Sequence, residues 1–229
     1  MGEIICLIIC ALTIVLLTFI FKINVKKAKE LENNKNVQII TDKFPENIDI
    51  AKEMLEMLNN KNVKIEQAKN TKTSLYIAFT NKISIADLKD NYGRIQTIAH
   101  ECIHSMQDRT LLLFNFIFSN ISIIYFALEI ILTLCKVYTN TMLQVFILTM
   151  FTLINFSVRA YLEIDAMTKS RYLAEKYMNQ KNLCTKDEQE KLLKEYDKIN
   201  KVGIPFTLYY LLTNSLIRIM LYIVIAIII

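Results

Sequence analysis

Long apolar runs alternate with polar segments along this chain. Residues 4–21 (IICLIICALTIVLLTFIF) form an uncharged run of 18 residues, long enough as a helix to cross a hydrocarbon core of roughly 30 Å. Three further runs lie at about 111–135, 142–158 and 204–229. The pattern predicts about four transmembrane helices, although 142–158 is short enough to form half of a re-entrant hairpin instead. The first run has no basic leader and no small-residue cleavage site, which favours a retained anchor over a signal peptide.

The first polar segment shows both helical and strand periodicity. A short helix is predicted from Asn47 or Asp49 to about Leu58. Residues 63–66 then alternate as a strand, 74–79 reads as a second strand, and 70–73 reads as the turn that joins them in a hairpin.

A second helix in this segment is predicted from Asp90 or Asn91 through Asp108 (NYGRIQTIAHECIHSMQD). The other polar segment, 159–201, reads as charged helix with a break near 182–185. Gly203 and Pro205 then mark the start of the last apolar run.

The basic residues predict which side of the membrane the polar segments occupy. Of the 27 Lys and Arg residues, 25 lie in 22–109 and 159–204, so the positive-inside rule makes both segments cytoplasmic. The N-terminus and the connector at 136–141 are then outside. Two spans separate the polar segments, which returns the chain to the same side and allows both segments to build one site.

Composition narrows the function classes. The hydrophobic content of 53% exceeds the 45–50% typical of soluble domains, so the lipid bilayer is an expected partner. The net charge of +5 is dispersed among acids and forms no basic patch with interleaved aromatics, which excludes nucleic-acid binding. Five scattered cysteines predict neither a disulfide framework nor a CxxC metal site.

The candidate chemistry is the sequence His100-Glu101-Cys102-Ile103-His104, an HExxH pattern that contains both histidines of the chain. Two histidines four residues apart on a helix project from one face and can bind one metal ion, while the glutamate after the first reaches the metal's water. The opposite face is apolar; its members are Ile95, Ile98, Ala99, Cys102, Ile103 and Met106. Two solvated histidines on an ordinary helix are the plainer alternative.

One Zn²⁺ ion is the expected cofactor, because imidazole nitrogen suits zinc whereas Ca²⁺ and Mg²⁺ prefer oxygen shells. A hydrolytic zinc site needs a third protein ligand. In the His₂Glu class this is a glutamate on a later helix, and Glu163 is the first candidate in the second polar segment. Asp165 is then its supporting neighbour or the alternative ligand.

These residues point to hydrolysis of a peptide or protein substrate. Glu101 would take a proton from the metal's water as general base and pass it to the leaving amine. The different-class alternative is a non-catalytic, degenerate zinc-binding membrane adaptor. A purely structural site needs the histidines but has no use for Glu101, which favours catalysis.

The sequences HECIHSMQ at 100–107 and EIDAM at 163–167 resemble the YugP-like neutral zinc metallopeptidases of bacterial membranes over nearly the whole chain. The family pattern is one span, a small soluble region, an HExGHAxQ helix, two spans, an E-F-x-A-S-like segment and a last span. The resemblance implies that His100, His104 and Glu163 are ligands, that Glu101 is the base and that Gln107 is a shared helix position.

Ile103, Ser105 and Met167 depart from that pattern, and these departures bear on substrate fit more than on metal binding. HtpX-type membrane proteases share the order of HExxH, two spans and glutamate, but carry an acid where this chain has Met167. An intramembrane protease would place its HExxH inside a span, whereas polar residues flank it here.

The prediction is therefore a mainly α membrane protein of the bacterial cytoplasmic membrane with a small cytoplasmic α+β zincin-like metallopeptidase region. Its predicted segments are an anchor at 1–21, the HExxH region at 22–109, spans at 110–135 and 142–158, a helical third-ligand segment at 159–203 and a last span at 204–229.

Overall fold

The computed structural model describes residues 1–31, 34–68, 71, 73–88, 91–137 and 140–229. Within these residues the chain is mainly helical with one small sheet, which confirms that part of the predicted fold class. The elements in chain order are α1 (Gly2–Ile20), α2 (Val25–Glu30), α3 (Lys35–Thr41), α4 (Asn47–Met57), β1 (Lys64–Gln67), β2 (Leu75–Ile77), β3 (Lys82–Ile85), α5 (Arg94–His104), α6 (Arg109–Leu134), α7 (Thr141–Lys181) and α8 (Lys186–Ile228).

In the part of the chain that the structure describes, four helices, α1, α6, α7 and α8, are long and apolar enough to cross a membrane. Residues 142–158 belong to the uninterrupted helix α7, which contains no Gly or Pro. The last apolar run likewise continues a helix that begins at Lys186. Pro205 lies inside α8, where the residue removes one backbone donor without ending the helix.

The predicted break near 182–185 separates α7 from α8. Asn182 has a φ of 50°, the left-handed conformation that commonly follows the last turn of a helix. Thr185 and Glu188 then form a capping box: the Glu188 amide donates to Thr185 Oγ1 and the Thr185 amide donates to Glu188 Oε2.

The chain divides into two compact units. The apolar unit comprises Met1–Ile23, Leu113–Tyr161 and Pro205–Ile229, and the polar unit comprises Asn24–Leu112 and Leu162–Ile204. The apolar unit buries a small cluster of Val145, Leu148, Ile219, Tyr222 and Ile223. Many of its other apolar side chains face outward.

The polar unit has a conventional hydrophobic core. Helices α4 and α5, the strand β3 and the buried faces of α7 and α8 supply it, with Ile50, Met54, Ile83, Ile95 and Ile98 completely buried. Burial of a residue of this size stabilises the fold by about 1.5–3 kcal/mol.

The sheet corrects the predicted hairpin. Its strand order is β1-β3-β2: β1 pairs in parallel with β3 (Lys64 opposite Lys82), and β2 pairs antiparallel with β3 (Leu75 opposite Ser84). The first two strands therefore do not pair with each other, and β3 was not predicted. The predicted turn at 70–73 includes Asn70 and Lys72, which lie outside the described residues.

Candidate metal centre

Helix α5 carries the two histidines and is shorter than predicted. It spans Arg94–His104, whereas the predicted helix started at Asp90 or Asn91 and ran to Asp108; Asp90 lies outside the described residues. Asp108 instead caps the next helix, because its Oδ1 accepts the Leu111 amide at 2.8 Å. Met106, predicted on the apolar face, lies beyond the end of α5 and is 49% exposed.

The apolar face of α5 is buried as predicted. Ile95, Ile98, Ala99 and Cys102 have no exposed surface, and Ile103 retains only a little. Burial raises the pKa of the Cys102 thiol, so this cysteine is a neutral core residue at neutral pH and is unsuited to hold a metal as a thiolate. The buried face fixes the rotation of α5 and so turns His100 and His104 toward α7.

A buried arginine anchors the first turn of α5. The Arg94 guanidinium donates to the carbonyls of Thr41, Phe44 and Pro45 and to Asn47 Oδ1, at distances between 2.6 and 2.9 Å. Three of these acceptors are backbone carbonyls at and just after the C-terminal end of α3, where a cation is favourable.

The last turn of α5 is also held. Ser105 Oγ donates to the Cys102 carbonyl at 2.6 Å, and Asn60 Nδ2 donates to both the carbonyl and the hydroxyl oxygen of Ser105 at 3.1 Å. Asn60 follows α4, with Asn59 in the left-handed region at a φ of 54°. These bonds satisfy carbonyls that a helix end leaves without intrahelical partners.

Glu163, on α7, meets the two histidines of α5. His100 Nε2 lies 3.0 Å from His104 Nε2, and Glu163 Oε2 lies 3.5 Å from the first nitrogen and 3.8 Å from the second. The three side chains are between 12% and 23% exposed, so a ligand could reach them from solvent. In the described part of the chain they form the one group of at least three His, Cys, Asp or Glu that could hold a metal ion.

The spacing of these atoms fits a small metal ion. Two ligands that each lie about 2.05 Å from a tetrahedral zinc are about 3.3 Å apart. The three observed separations of 3.0, 3.5 and 3.8 Å lie on both sides of that value. Two imidazoles and one carboxylate are also the donor set of open, hydrolytic zinc sites.

Asp165 lies outside this group. Its Oδ2 accepts a hydrogen bond from Gln107 Nε2 at 3.0 Å, and its Oδ1 lies 2.6 Å from the ammonium of Lys169. Asp165 was predicted as either a supporting neighbour of Glu163 or the alternative ligand. Its contacts with Gln107 and Lys169 are those of a supporting neighbour.

Glu101 is 6% exposed and points toward the sheet. Its Oε2 accepts a hydrogen bond of 2.6 Å from the backbone amide of Tyr76 in β2. Burial raises the pKa of this carboxyl, and the repulsion of Glu163 adds to that effect; the charge of His100 and the Tyr76 amide oppose it. The sequence identified Glu101, but the strand amide that orients it could not be predicted, because backbone contacts leave no side-chain signal.

The two histidines differ in their surroundings. Burial lowers the pKa of His104, and the charge of His100 lowers it further. Burial also opposes the charged form of His100, but contact with Glu163 and the charges of Glu101 and Glu163 outweigh it and raise the pKa of His100. At neutral pH, His104 is therefore the more readily available neutral donor.

Comparison of the chain with protein-family models, curated proteins and solved structures found no match. The resemblance to the YugP-like metallopeptidases stays a prediction that rests on the residues quoted for it.

Proposed function

We propose that this chain is a membrane-anchored, zinc-dependent metallopeptidase. The observation that carries the proposal is the meeting of His100 and His104 with Glu163, together with an oriented and buried Glu101 immediately after the first histidine. The spacing supplies two nitrogen ligands and one base from a single turn of helix.

Zinc is the metal that this donor set favours. Two imidazoles and one carboxylate are poorly matched to Mg²⁺ or Ca²⁺, which take mainly oxygen ligands. His100, His104 and Glu163 would hold the ion through Nε2 and carboxylate oxygen atoms. Bound there, zinc would supply a water of lowered pKa and polarise a substrate carbonyl.

Glu101 would act as the general base and then the general acid. Its carboxylate would take a proton from the attacking water at Oε1 or Oε2 and give it to the leaving amine of the cleaved peptide bond. A pKa raised by burial suits these roles, because a more basic carboxylate takes the proton of water more readily and the resulting carboxylic acid is still acidic enough to protonate an amine. The Tyr76 amide restrains the orientation of the carboxylate before substrate arrives.

We further propose a cytoplasmic site in a multi-pass protein of a bacterial cell membrane, with the N-terminus outside. Both lysine-rich segments belong to one compact polar unit, which supports an even number of crossings between them. Helix α6 and the first part of α7 are the two candidate crossings.

Hydrolysis by the full-length protein in lipid nanodiscs tests the proposal. Zinc-loaded wild type is compared with Glu101→Gln on an unfolded protein substrate, after both have been shown to contain the same zinc. Loss of the base should lower kcat by about 10²–10⁴-fold while zinc content is unchanged.

Two results would count against a peptidase. In the first, Glu101→Gln cleaves the substrate as fast as wild type does. In the second, wild type with stoichiometric zinc shows no hydrolysis above the level of Glu101→Gln. The second result would favour the zinc-binding adaptor.

A further inference from the structure

Gln107 lies at the junction of the two helices that provide the ligands. It follows His104 by three residues, just after the end of α5, and is partly buried. Its side chain makes three hydrogen bonds: Oε1 lies 2.8 Å from His104 Nδ1, while Nε2 lies 2.8 Å from the Leu162 carbonyl and 3.0 Å from Asp165 Oδ2.

The partners of Gln107 determine which way its amide points. A backbone carbonyl and a carboxylate are both acceptors, so the atom that faces them must be the NH₂ group. The amide oxygen therefore faces His104, and an amide oxygen only accepts. The proton between them must belong to Nδ1 of His104.

This proton position has a direct consequence for the site. An imidazole with its proton on Nδ1 carries its lone pair on Nε2, the atom that faces His100 Nε2 and Glu163 Oε2. Neutral His104 is then held in the tautomer that can donate to a metal, and its ring cannot rotate without breaking the bond to Gln107.

The same amide also ties α7 to α5 at the level of Glu163. Its two acceptors, Leu162 and Asp165, lie on either side of Glu163 in the sequence. Asp165 Oδ1 also lies 2.6 Å from the ammonium of Lys169, so the two oxygens of this carboxylate face Gln107 and Lys169.

We propose that Gln107 is a positioning residue: its amide sets the tautomer of His104 and holds Glu163 opposite it. The inference rests on the proposed function for its purpose, since a tautomer fixed in this way serves a metal ligand. Its geometry can nevertheless be tested without metal or substrate.

The first test is nitrogen NMR on the metal-free wild type, labelled with ¹⁵N-histidine and held in lipid at about pH 8, well above the ordinary histidine pKa of about 6.5. The chain has only two histidines, so His100→Ala assigns the spectrum. His104 should carry its proton on Nδ1. A proton on Nε2 would overturn the inference and leave the proposed peptidase untouched.

The second test is zinc affinity, measured by competition with a chelator, for wild type and Gln107→Met. Methionine is similar in length but can neither accept from Nδ1 nor donate to α7. Affinity should fall by about 10–100-fold, the usual cost of losing a partner of a metal-binding histidine, and the His104 tautomer should become mixed.

Gln67→Met is the matched control, because Gln67 is an exposed residue of β1 and its substitution should leave zinc affinity unchanged. A Gln107→Met protein with wild-type affinity and an unchanged tautomer would overturn the inference. A wild type that binds no zinc would instead overturn the proposed function, and the NMR result would still decide the role of Gln107.

Discussion

The two helices that build the site are held in place differently. Helix α5 is 11 residues long, has a completely buried face and is anchored at its start by Arg94, which is 3% exposed. Helix α7 is 41 residues long, and its polar bonds near the site involve more exposed groups. Arg171, for example, pairs with Glu175 and Asp197, which are 37% and 58% exposed.

Both helices bury an apolar face in the same core, so the difference lies in their polar anchors: that of α5 is buried and those of α7 near Arg171 are exposed. Buried hydrogen bonds are costly to lose because the remaining partner stays without water, whereas exposed ion pairs contribute little. The position of α5 is set by its core contacts and by the hydrogen bonds of Arg94 and Ser105 at its two ends. The position of α7 near Glu163 is set by its core packing and by the hydrogen bonds from Gln107.

Removing one ligand from each helix should have the largest effect. We expect His104→Ala to abolish stoichiometric zinc binding, because it leaves one histidine and one carboxylate. Glu163→Ala should weaken binding by more than the roughly 10–100-fold that follows loss of an outer partner. Zinc content and chelator competition measure both.

Asp165→Ala separates the two candidate ligands of α7. Its effect should stay within the range of an outer partner, because Asp165 binds Gln107 and Lys169 instead of the histidines. If Asp165→Ala abolished binding and Glu163→Ala did not, the assignment of these two acids would have to be exchanged.

The anchors of the two helices should differ in their contribution to stability. Arg94→Met leaves three backbone carbonyls and Asn47 without their donor, and we expect the free energy of unfolding to fall by about 2–5 kcal/mol. Arg171→Met should cost less than about 1 kcal/mol. Thermal unfolding followed by circular dichroism compares them, and equal losses would refute the distinction between the buried anchor of α5 and the exposed ion pairs of α7.

Substitution of Glu101 should raise the free energy of unfolding, whereas the substitutions of Arg94 and Arg171 should lower it. A carboxyl whose pKa is raised by folding binds its proton more tightly in the folded state, so its contribution to stability is lost as pH rises through the folded pKa. Metal-free Glu101→Gln should therefore be more stable than wild type at neutral pH, by about 0.5–2 kcal/mol.

The gain from Glu101→Gln should shrink as the pH falls toward the pKa of the unfolded carboxyl, where wild type is protonated too. Thermal midpoints of both proteins across pH check this. A wild type that is more stable than Glu101→Gln at neutral pH would show that Glu101 is stabilised in its charged form.

The sequence predicted the α5 half of the site well because its signal is local. HECIH places two histidines and a glutamate within about one turn, and the apolar positions define the buried face. The end of α5 was wrong by four residues, although Asp108 before an apolar run is a recognisable cap for the next helix. Gln107 also lies three residues from His104, so its reach to that ring could have been anticipated.

The α7 half and the sheet depend on contacts that no local pattern contains. Glu163 was chosen by ligand class and chain order, and only the folded chain places it beside the histidines. The parallel pairing of Lys64 with Lys82 joins strands with β2 between them in the chain, and neither alternation nor turn residues predicted that register. The burial of Arg94 could not be predicted either, because the sequence around a buried arginine does not differ from that around an exposed one.

X-ray absorption at the zinc edge tests the central claim most directly. For full-length protein with one equivalent of zinc, the structure predicts a shell of nitrogen and oxygen at about 2.0–2.1 Å with the outer scattering of two imidazoles. His104→Ala should lose that signature. Sulfur at about 2.3 Å, or fewer than two imidazoles in wild type, would contradict a site built from His100, His104 and Glu163.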